Sequence, residues 1–462
     1  MTHALHAAFL ESSALHGARP ALESSAGALS YLDVAAACSE RSEMISGQGR
    51  HVVALCMSRS AEAALWQLAC SKAGQPFAPL DPEWPEERLA ECLSRLAARW
   101  VVSGAEMDLS RLGFSLAKHC AGFRLWERQS AAAAEIDGSV GHVFFSSGST
   151  GRPKAILLRG APVIDVARAQ ALRLGIDSSS RCAWLLSPAF DASLSDIYSC
   201  WTSGACLIPF EDRATRVKSL ARFLRDARCT HADVPPSMLA ALDPQRLPEL
   251  RCVVFGGELA KLAEVERWRE AGKRLFNAYG PTEATVCTHM AEALAGWEPN
   301  IVGEALDGVA CKVFSDGSWR DPEPGLRGEL GIMGDHLAVG YDDPALTAAR
   351  FLNEPLGRLY RTGDLFLFGR DGTARYVGRL DRQFKRSGAL ACPEEIEAAA
   401  ISAGCAEARL SISGRRLILD YAGPVSAPEL LAELARRLPS HLVPNEARRR
   451  ESLPRGSTGK LA

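Results

Sequence analysis

The stretch FFSSGSTGRPKAI (144–156) joins a short apolar run to a loop of glycine and hydroxyl residues that closes on a lysine. Glycines in such a loop can adopt positive φ and turn backbone N–H groups inward, while the hydroxyls donate hydrogen bonds and the lysine supplies positive charge. The pattern predicts a strand followed by a phosphate-binding loop, whose phosphate contacts would be Ser146, Ser147, Gly148, Ser149, Thr150, Gly151 and Lys154. The alternative is an ordinary polar hairpin, since serine, glycine and proline also dominate plain turns.

Segments on both sides of this loop alternate between short aliphatic runs and longer alanine- and leucine-rich stretches. Runs of strand length are HVVALCM (51–57), HVFFSS (142–147), CLIPF (206–210) and RCVVFGG (251–257), and stretches of helical length are 61–74, 217–229 and 264–274. This alternation predicts an α/β fold of layered sheets and helices.

The pattern changes from about residue 300, where alternating apolar residues and Gly-Asp or Asp-Gly turns predict a small antiparallel β region. Beyond residue 381, a helical segment, two paired strands and a second helical segment predict a small α+β domain. We therefore divide the chain into a large N-terminal domain, residues 1–380, and a small mobile C-terminal domain, residues 381–462.

The composition favours a small-molecule ligand. Of 462 residues, 53 are lysine or arginine and 55 are aspartate or glutamate, a balance that argues against a general electrostatic grip on nucleic acid or an anionic membrane. The 14 cysteines contain no Cys-x-x-Cys pair and many lie in apolar runs, which predicts reduced, structural thiols. The N-terminal segment does not resemble a signal peptide, and no apolar run approaches the roughly 20 residues of a membrane span, so we expect a cytoplasmic protein.

Three further motifs fit nucleotide chemistry. NAYGPTE (277–283) offers an aromatic face for a purine, a hydroxyl donor and a carboxylate able to hold Mg²⁺. YRTGD (360–364) places a carboxylate on a tight turn, where it could accept both hydroxyls of a ribose, and GRLDRQ (378–383) adds an arginine. Taken singly, each motif is also a plain turn, and Lys460 by itself is a solvated charge on a frayed end.

In this order and spacing, SSGSTGRPK, NAYGPTE, YRTGD, GRLDRQ and STGK resemble the adenylate-forming superfamily: acyl- and aryl-CoA synthetases, firefly luciferase and the adenylation domains of nonribosomal peptide synthetases. Weaker echoes at 29–35, 76–89, 328–341 and 438–444 resemble the peptide-synthetase branch, and the chain looks most like a stand-alone amino-acid adenylation domain. The resemblance implies two steps. A carboxylate attacks the α-phosphate of Mg·ATP to give an acyl-adenylate and pyrophosphate, and a thiol then takes the acyl group.

The resemblance also implies roles for individual residues. Lys460, Thr282 and Glu283 would be catalytic, with Lys460 bridging the carboxylate and the α-phosphate and Glu283 holding the metal. Asp381 occupies the place of the hinge about which the C-terminal domain rotates to admit the thiol. Tyr279 would stack on adenine, and a carboxylate with an arginine would fix the ribose. The nucleotide contacts outside the loop would be Gly257, Asn277, Tyr279, Gly280, Asp364, Tyr376 and Arg379.

The segment FDASLS (190–195) resembles the substrate motif of amino-acid-activating members, in which the aspartate pairs with the substrate α-ammonium. A buried Asp191 would require a cation, which acyl and aryl acids lack; its alternative role is a helix N-cap. Asp233 is unusual, because many relatives place an apolar or hydroxyl residue there. With small neighbours it predicts a basic substrate such as arginine, lysine or ornithine, unless its side chain turns away. The pocket positions carried over are Asp191, Ala192, Ser195, Asp233, Val254, Gly256, Ala278, Val286, Cys287 and Lys460.

The chain departs from the family pattern at points that bear on thioester formation more than on adenylation. LLRGAPVI (157–164) lacks the histidine commonly found after the loop, and Leu390 and Glu394 stand where relatives usually carry arginine and glycine. No Gly-Gly-x-Ser carrier site follows, so we expect transfer to the phosphopantetheine thiol of a separate carrier protein, in nonribosomal peptide or natural-product biosynthesis. The alternatives are an acyl- or aryl-CoA synthetase, a non-catalytic nucleotide- or carrier-binding partner, and a plain nucleoside-triphosphatase.

Overall fold

The structure is a computed structural model. It describes residues 4–46, 49–120, 122–128, 136–147, 153–212, 217–380, 384–386, 389–391, 393–413, 416–438 and 442–455.

The helices of these ranges include the segments predicted at 61–74, 217–229 and 264–274, which form α3, α7 and α9. Their bounds are α1 (Ala4–His16), α2 (Tyr31–Met44), α3 (Ala61–Lys72), α4 (Glu86–Arg95), α5 (Gly160–Leu174), α6 (Ser193–Thr202), α7 (Val217–Asp226), α8 (Pro236–Leu239), α9 (Leu262–Glu270), α10 (Pro344–Arg350), α11 (Pro393–Ser402) and α12 (Ala427–Arg437). Short 3₁₀ turns lie at Ser110–Leu112, Pro244–Arg246 and Thr282–Ala284.

The strands include the four aliphatic runs, which form β3, β8, β11 and β13. Their bounds are β1 (Pro20–Ser24), β2 (Gly27–Ser30), β3 (Val53–Cys56), β4 (Phe77–Leu80), β5 (Trp100–Ser103), β6 (Ser115–Cys120), β7 (Phe123–Glu127), β8 (Val140–Ser147), β9 (Pro153–Arg159), β10 (Arg181–Trp184), β11 (Cys206–Pro209), β12 (His231–Asp233), β13 (Cys252–Gly256), β14 (Arg274–Tyr279), β15 (His289–Glu292), β16 (Ile301–Ala305), β17 (Ala310–Ser315), β18 (Ser318–Arg320), β19 (Arg327–Met333), β20 (Gly340–Tyr341), β21 (Phe351–Glu354), β22 (Gly357–Phe368), β23 (Ala374–Arg379), β24 (Phe384–Arg386), β25 (Ala389–Ala391), β26 (Glu407–Ser413), β27 (Arg416–Ala422) and β28 (Glu446–Arg449).

Local sequence signals explain where some of these helices begin. Ser30 and Asp33 form a reciprocal capping box at the start of α2, and Ser426 and Glu429 do the same at the start of α12. Each box satisfies backbone N–H groups that the first helical turn leaves without partners.

The larger sheet runs β18-β17-β19-β22-β23-β16-β15-β14-β13-β12-β10-β11-β1-β2, and β21 pairs with β22. Its central strands, from β14 to β11 in this order, are parallel, and the strands from β15 to β18 pair antiparallel. The predicted α/β layering is therefore confirmed. The antiparallel part was expected as a small region beginning near residue 300, but it begins at β15 and continues the parallel sheet, because β15 pairs with β14.

The second sheet runs β20-β9-β8-β4-β3-β5-β7-β6. Its strands β8 and β9 are antiparallel, with Ser147 opposite Pro153, so they flank the glycine-serine positions of the sequence motif. Large side chains between the layers, including Trp66, Trp184, Tyr198 and Trp201, are fully buried. Their burial supplies much of the hydrophobic stabilisation of the fold.

The C-terminal segment has the predicted order of helix, paired strands and helix. β26 pairs antiparallel with β27, β28 pairs parallel with β27, and α11 and α12 complete an apolar cluster of their own that includes Leu419, Tyr421, Leu430 and Leu434. A separate core of this kind is typical of a domain. The boundary at Asp381 lies outside the described residues and stays a prediction.

Two sequence expectations concern membranes and thiols. No helix of the described ranges is both long and apolar enough to cross a membrane. Every cysteine of these ranges is free, and most are buried, as expected for small hydrophobic side chains.

Candidate active site

Parallel strands bring several predicted pocket residues to one edge of the larger sheet. In the register of β12, β13 and β14, Asp233 lies opposite Val254, and Gly256 lies opposite Ala278. These positions are at the carboxyl ends of their strands, which is where open α/β sheets bind ligands.

Asp191 lies beside the NAYGPTE segment, although the two are far apart in the sequence. The Thr282 hydroxyl hydrogen-bonds the half-buried Asp191 carboxylate, and the Glu283 carboxylate is close enough to repel it. Burial, followed by that repulsion, raises the pKa of Asp191 to about 6. The N-cap alternative is wrong, since α6 is capped by the backbone of Ala192 and no side chain caps it.

The turn that carries Thr282 and Glu283 is held in a strained backbone conformation. Thr285 and Val286 have φ of 58° and 66°, which β-branched residues rarely adopt. The hydroxyl of Thr285 donates to the backbone carbonyl of His336. Strain of this kind persists only where the surrounding contacts fix it, and it is common at functional sites.

Tyr341 ends the family-like segment 328–341, but the sequence motifs assigned it no role in the site. Its hydroxyl donates to Glu283 Oε1 over 2.6 Å, and the backbone N–H of Ala338 donates to the Glu283 carbonyl over 2.8 Å. Burial, followed by the nearby carboxylate, raises the pKa of the Tyr341 hydroxyl, so it remains a donor. The segment around Tyr341 therefore orients the carboxylate that was predicted to hold a metal.

Tyr279, Asp364 and Arg379 form one cluster. The Tyr279 hydroxyl donates to Asp364 Oδ2 over 2.6 Å, and Arg379 Nη1 donates to Asp364 Oδ1 over 3.0 Å. The Tyr279 ring packs edge-on against Phe366, with ring centroids 4.9 Å apart, and Tyr376 lies 6.3 Å away. The cluster thus combines a fixed aromatic ring with a buried, oriented carboxylate.

Two glycines have no room for a side chain. A Cβ on Gly256 would overlap the Ala278 carbonyl oxygen, and a Cβ on Gly280 would overlap the Val286 carbonyl oxygen. Both positions therefore bring backbone segments of the site into close contact.

The positions predicted for the substrate pocket carry both apolar and polar side chains. Val254, Ala278 and Val286 pack against the cluster that contains Cys287. Ser195 and Asp233 line the same cavity, of about 30 Å³. Burial raises the pKa of Asp233 to about 7.

The same cavity is lined by Gln170 and Asp196, which were not among the predicted residues. Ser195 Oγ donates to Gln170 Oε1 over 2.9 Å. Asp196 immediately follows the FDASLS motif. Its position next to Ser195 is the one sequence signal that could have identified it as a cavity residue.

Some predicted residues have other partners or lie outside the described ranges. Asn277 Nδ2 donates to the Ile301 carbonyl over 2.8 Å. Gly257 has a positive φ of 73°. Lys154 is half-buried on β9, opposite Ser146 of β8. The side chain of Ser147 is not described. The residues outside the described ranges are Gly148, Ser149, Thr150, Gly151, Asp381 and Lys460.

No group of three or more His, Cys, Asp or Glu residues within the described ranges could hold a metal ion. Mg²⁺ that accompanies a nucleotide is held by one or two carboxylates together with the phosphates. Glu283, with one oxygen engaged by Tyr341, fits that pattern.

Comparison with known proteins shows the family of the chain. The profile of the AMP-binding enzymes matches residues 9–342. CymA of Salinispora arenicola, named as a nonribosomal peptide synthetase, is 35% identical over 432 residues, which is 89% of this chain and 6% of that protein. Novobiocin biosynthesis protein H of Streptomyces niveus is 33% identical over 476 residues, 96% of this chain and 78% of that protein.

A solved structure extends the likeness to three dimensions. Holo-PA1221, described as a nonribosomal peptide synthetase protein containing adenylation and PCP domains bound to a vinylsulfonamide inhibitor, superposes with a TM-score of 0.73 at 26% identity, covering 99% of this chain and 83% of that chain. The chain belongs to the AMP-binding enzymes and is an adenylate-forming ligase of the type found in nonribosomal peptide synthetases.

Proposed function

We propose that this enzyme activates an amino acid as its aminoacyl-adenylate, consuming Mg·ATP and releasing pyrophosphate. The observation that carries the proposal is the position of the Asp191 carboxylate next to Thr282 and near Glu283. Removing even a half-buried carboxylate from water without a cation beside it is costly, and the α-ammonium of an amino acid is a cation of the right chemistry. Acyl and aryl acids without an amino group would leave Asp191 without a cation, with only the Thr282 hydroxyl and backbone N–H groups as its partners.

The nucleotide would bind at the Tyr279 cluster. Adenine would stack on the Tyr279 ring, and Asp364, oriented by Tyr279 and Arg379, would accept the ribose hydroxyls. Each carboxylate oxygen can accept more than one hydrogen bond, so Asp364 can take the ribose without releasing both present partners.

The phosphates would lie between this cluster and Asp191. Ser146, Lys154 and Thr282 would contact them with the loop residues 148–151, and Glu283 would hold the Mg²⁺ that neutralises part of their charge. In the reaction, a bond forms from the substrate carboxylate oxygen to the α-phosphorus, and the bond from that phosphorus to pyrophosphate breaks. Lys460 would supply positive charge where the two anions meet.

The second half-reaction would transfer the aminoacyl group to a phosphopantetheine thiol on a carrier protein. Support comes from the PCP domain of PA1221 and from the peptide-synthetase relatives. Residues 381–462 would rotate about Asp381 to remove Lys460 and admit the thiol.

The substrate side chain would be basic. Asp233 lines the cavity that Ser195 also lines, and its half-buried carboxylate lies where a cation would offset the cost of removing it from water. Arginine, lysine and ornithine have the required length and charge.

The experiment is exchange of labelled pyrophosphate into ATP across a panel of amino, aryl and acyl acids. We expect exchange with at least one amino acid, lost about 100-fold or more in Asp191→Asn, because a buried charge pair is worth several kcal/mol. Asp165→Asn, at an exposed position on α5, is the matched control and should keep full activity. Exchange with benzoates or fatty acids alone would overturn the amino-acid assignment, and exchange with no acid would favour a non-catalytic binding partner.

A further inference from the structure

Two carboxylates, rather than one, line the cavity next to Ser195. Asp196, on α6, and Asp233, at the end of β12, line the same cavity, together with Gln170, Ser195 and His231. The cavity has a volume of about 30 Å³, and apolar side chains such as Leu174, Ile176 and Val254 complete its lining.

The two carboxylates are close enough to affect one another. The pKa of Asp196 is raised well above its ordinary value, first by burial and then by repulsion from Asp233. Like charges that share a buried site cannot both remain ionised without compensation. One proton or one cation must therefore occupy the pair.

No basic side chain of the described ranges supplies that cation. The Asp196 carboxylate accepts only backbone N–H groups, the one from Leu185 over 3.4 Å, and no described residue donates to Asp233. Arg59 is near enough to feel the charge of Asp196, but its guanidinium donates to the carbonyls of Phe210 and Asp212.

Two titratable groups near the pair, His231 and Cys287, are uncharged near neutral pH. Burial lowers the pKa of His231 to about 4, and its ring nitrogens face the Thr230 hydroxyl and the Leu174 carbonyl. Burial raises the pKa of Cys287 to about 12, and Cys182 of β10 is a buried thiol. The pair therefore has unmatched negative charge in the part of the chain that is described.

We propose that Asp196 is a second substrate-binding carboxylate and that Asp196 and Asp233 together select a side chain ending in a guanidinium. The proposal rests on the proposed activation of an amino acid and deepens it. A guanidinium is planar, presents N–H groups along several edges and is weakly hydrated, so it can bridge two carboxylates. An ammonium is compact and strongly hydrated, and it would leave one carboxylate poorly paired.

A pH signature follows from the exchange of proton for cation. When the pocket is empty the pair retains a proton, and a guanidinium displaces it. Activation of arginine should therefore strengthen relative to activation of citrulline, its uncharged analogue, as pH rises from 6 to 8. The titration of Asp191 cancels in the ratio of kcat/KM for arginine to kcat/KM for citrulline, because Asp191 would face the α-ammonium of both substrates.

The experiment measures kcat/KM in pyrophosphate exchange for arginine, lysine, ornithine and citrulline. For the unaltered enzyme we expect arginine to exceed the others at least tenfold at pH 7.5, with the arginine-to-citrulline ratio falling severalfold at pH 6. Asp196→Asn and Asp233→Asn should each reduce the arginine-to-citrulline ratio at least tenfold. In the double variant the reduction should be smaller than the product of the two single reductions, because both carboxylates bind the same group. Asp165→Asn, at an exposed position on α5 outside the cavity, is the matched control and should keep the ratio.

Several outcomes would overturn the proposal while leaving amino-acid activation intact. They are preference for a neutral amino acid, equal use of lysine and arginine, or an arginine-to-citrulline ratio in Asp196→Asn within twofold of the unaltered enzyme. If the variants do not fold, the substrate preference and pH dependence of the unaltered enzyme decide the question. Exchange with no amino acid would overturn the proposed function itself, and this inference with it.

Discussion

Replacing Asp191 by asparagine should stabilise the protein while abolishing its activity. The carboxylate lies beside Thr282 and near Glu283, in a site where burial opposes its ionisation. Asparagine has nearly the same shape and can still accept the Thr282 hydrogen bond, but it carries no charge to bury.

The magnitude follows from the displaced pKa. The Asp191 pKa moves from 3.8 to about 6 on folding, and a tenfold change in an equilibrium is worth about 1.4 kcal/mol. The upper bound on the destabilisation is therefore about 3 kcal/mol, and the partial exposure of the side chain reduces it to about 1–2 kcal/mol.

The sign of the pH dependence is fixed by which state binds more protons. Between pH 3.8 and 6 the folded state holds a proton that the unfolded state has lost, so the stability of the unaltered protein falls as pH rises through this window. The advantage of Asp191→Asn should thus be full above pH 7, about half as large at pH 5 and absent below pH 3.8.

Thermal unfolding followed by tryptophan fluorescence, at pH 5 and pH 7.5, tests this. We expect a rise in Tm of about 1–2 °C at pH 7.5 and a smaller rise at pH 5, because the unfolding entropy of a chain of this length is about 1 kcal/mol/K. Asp165→Asn, on the exposed face of α5, should leave Tm unchanged at both values. A variant that is no more stable than the parent at pH 7.5, or whose gain is the same at both pH values, would refute the reasoning.

Three further predictions concern the contacts around the site. Tyr341→Phe removes the donor to Glu283, so the Mg²⁺ concentration for half-maximal exchange should rise about tenfold with the amino-acid KM unchanged; a change in the amino-acid KM alone would contradict it. Asp364→Asn should raise the ATP KM about 10–100-fold and narrow the preference for ATP over 2′-deoxy-ATP, and an unchanged preference would show that Asp364 does not bind the ribose. Gly256→Ala places a Cβ against the Ala278 carbonyl, so the amino-acid KM should rise more than tenfold while the ATP KM stays within threefold; equal rises would indicate general unfolding.

The sequence by itself determined the elements and the family. Strand-length aliphatic runs became β3, β8, β11 and β13, and the C-terminal order of helix, paired strands and helix was correct. These features depend on side-chain periodicity and on interactions between residues a few positions apart, which a sequence displays directly. Motif order along the chain likewise identified the superfamily that the comparisons confirm.

The tertiary structure decided which residues meet. Tyr341 reaches Glu283, Asp191 reaches Thr282, and Asp196 shares a cavity with Asp233, in each case across separate elements. It also joined the antiparallel strands to the parallel sheet through β15. Such contacts depend on strand register and on how helices pack over the carboxyl edge of the sheet, and neither is encoded in the spacing of any one segment.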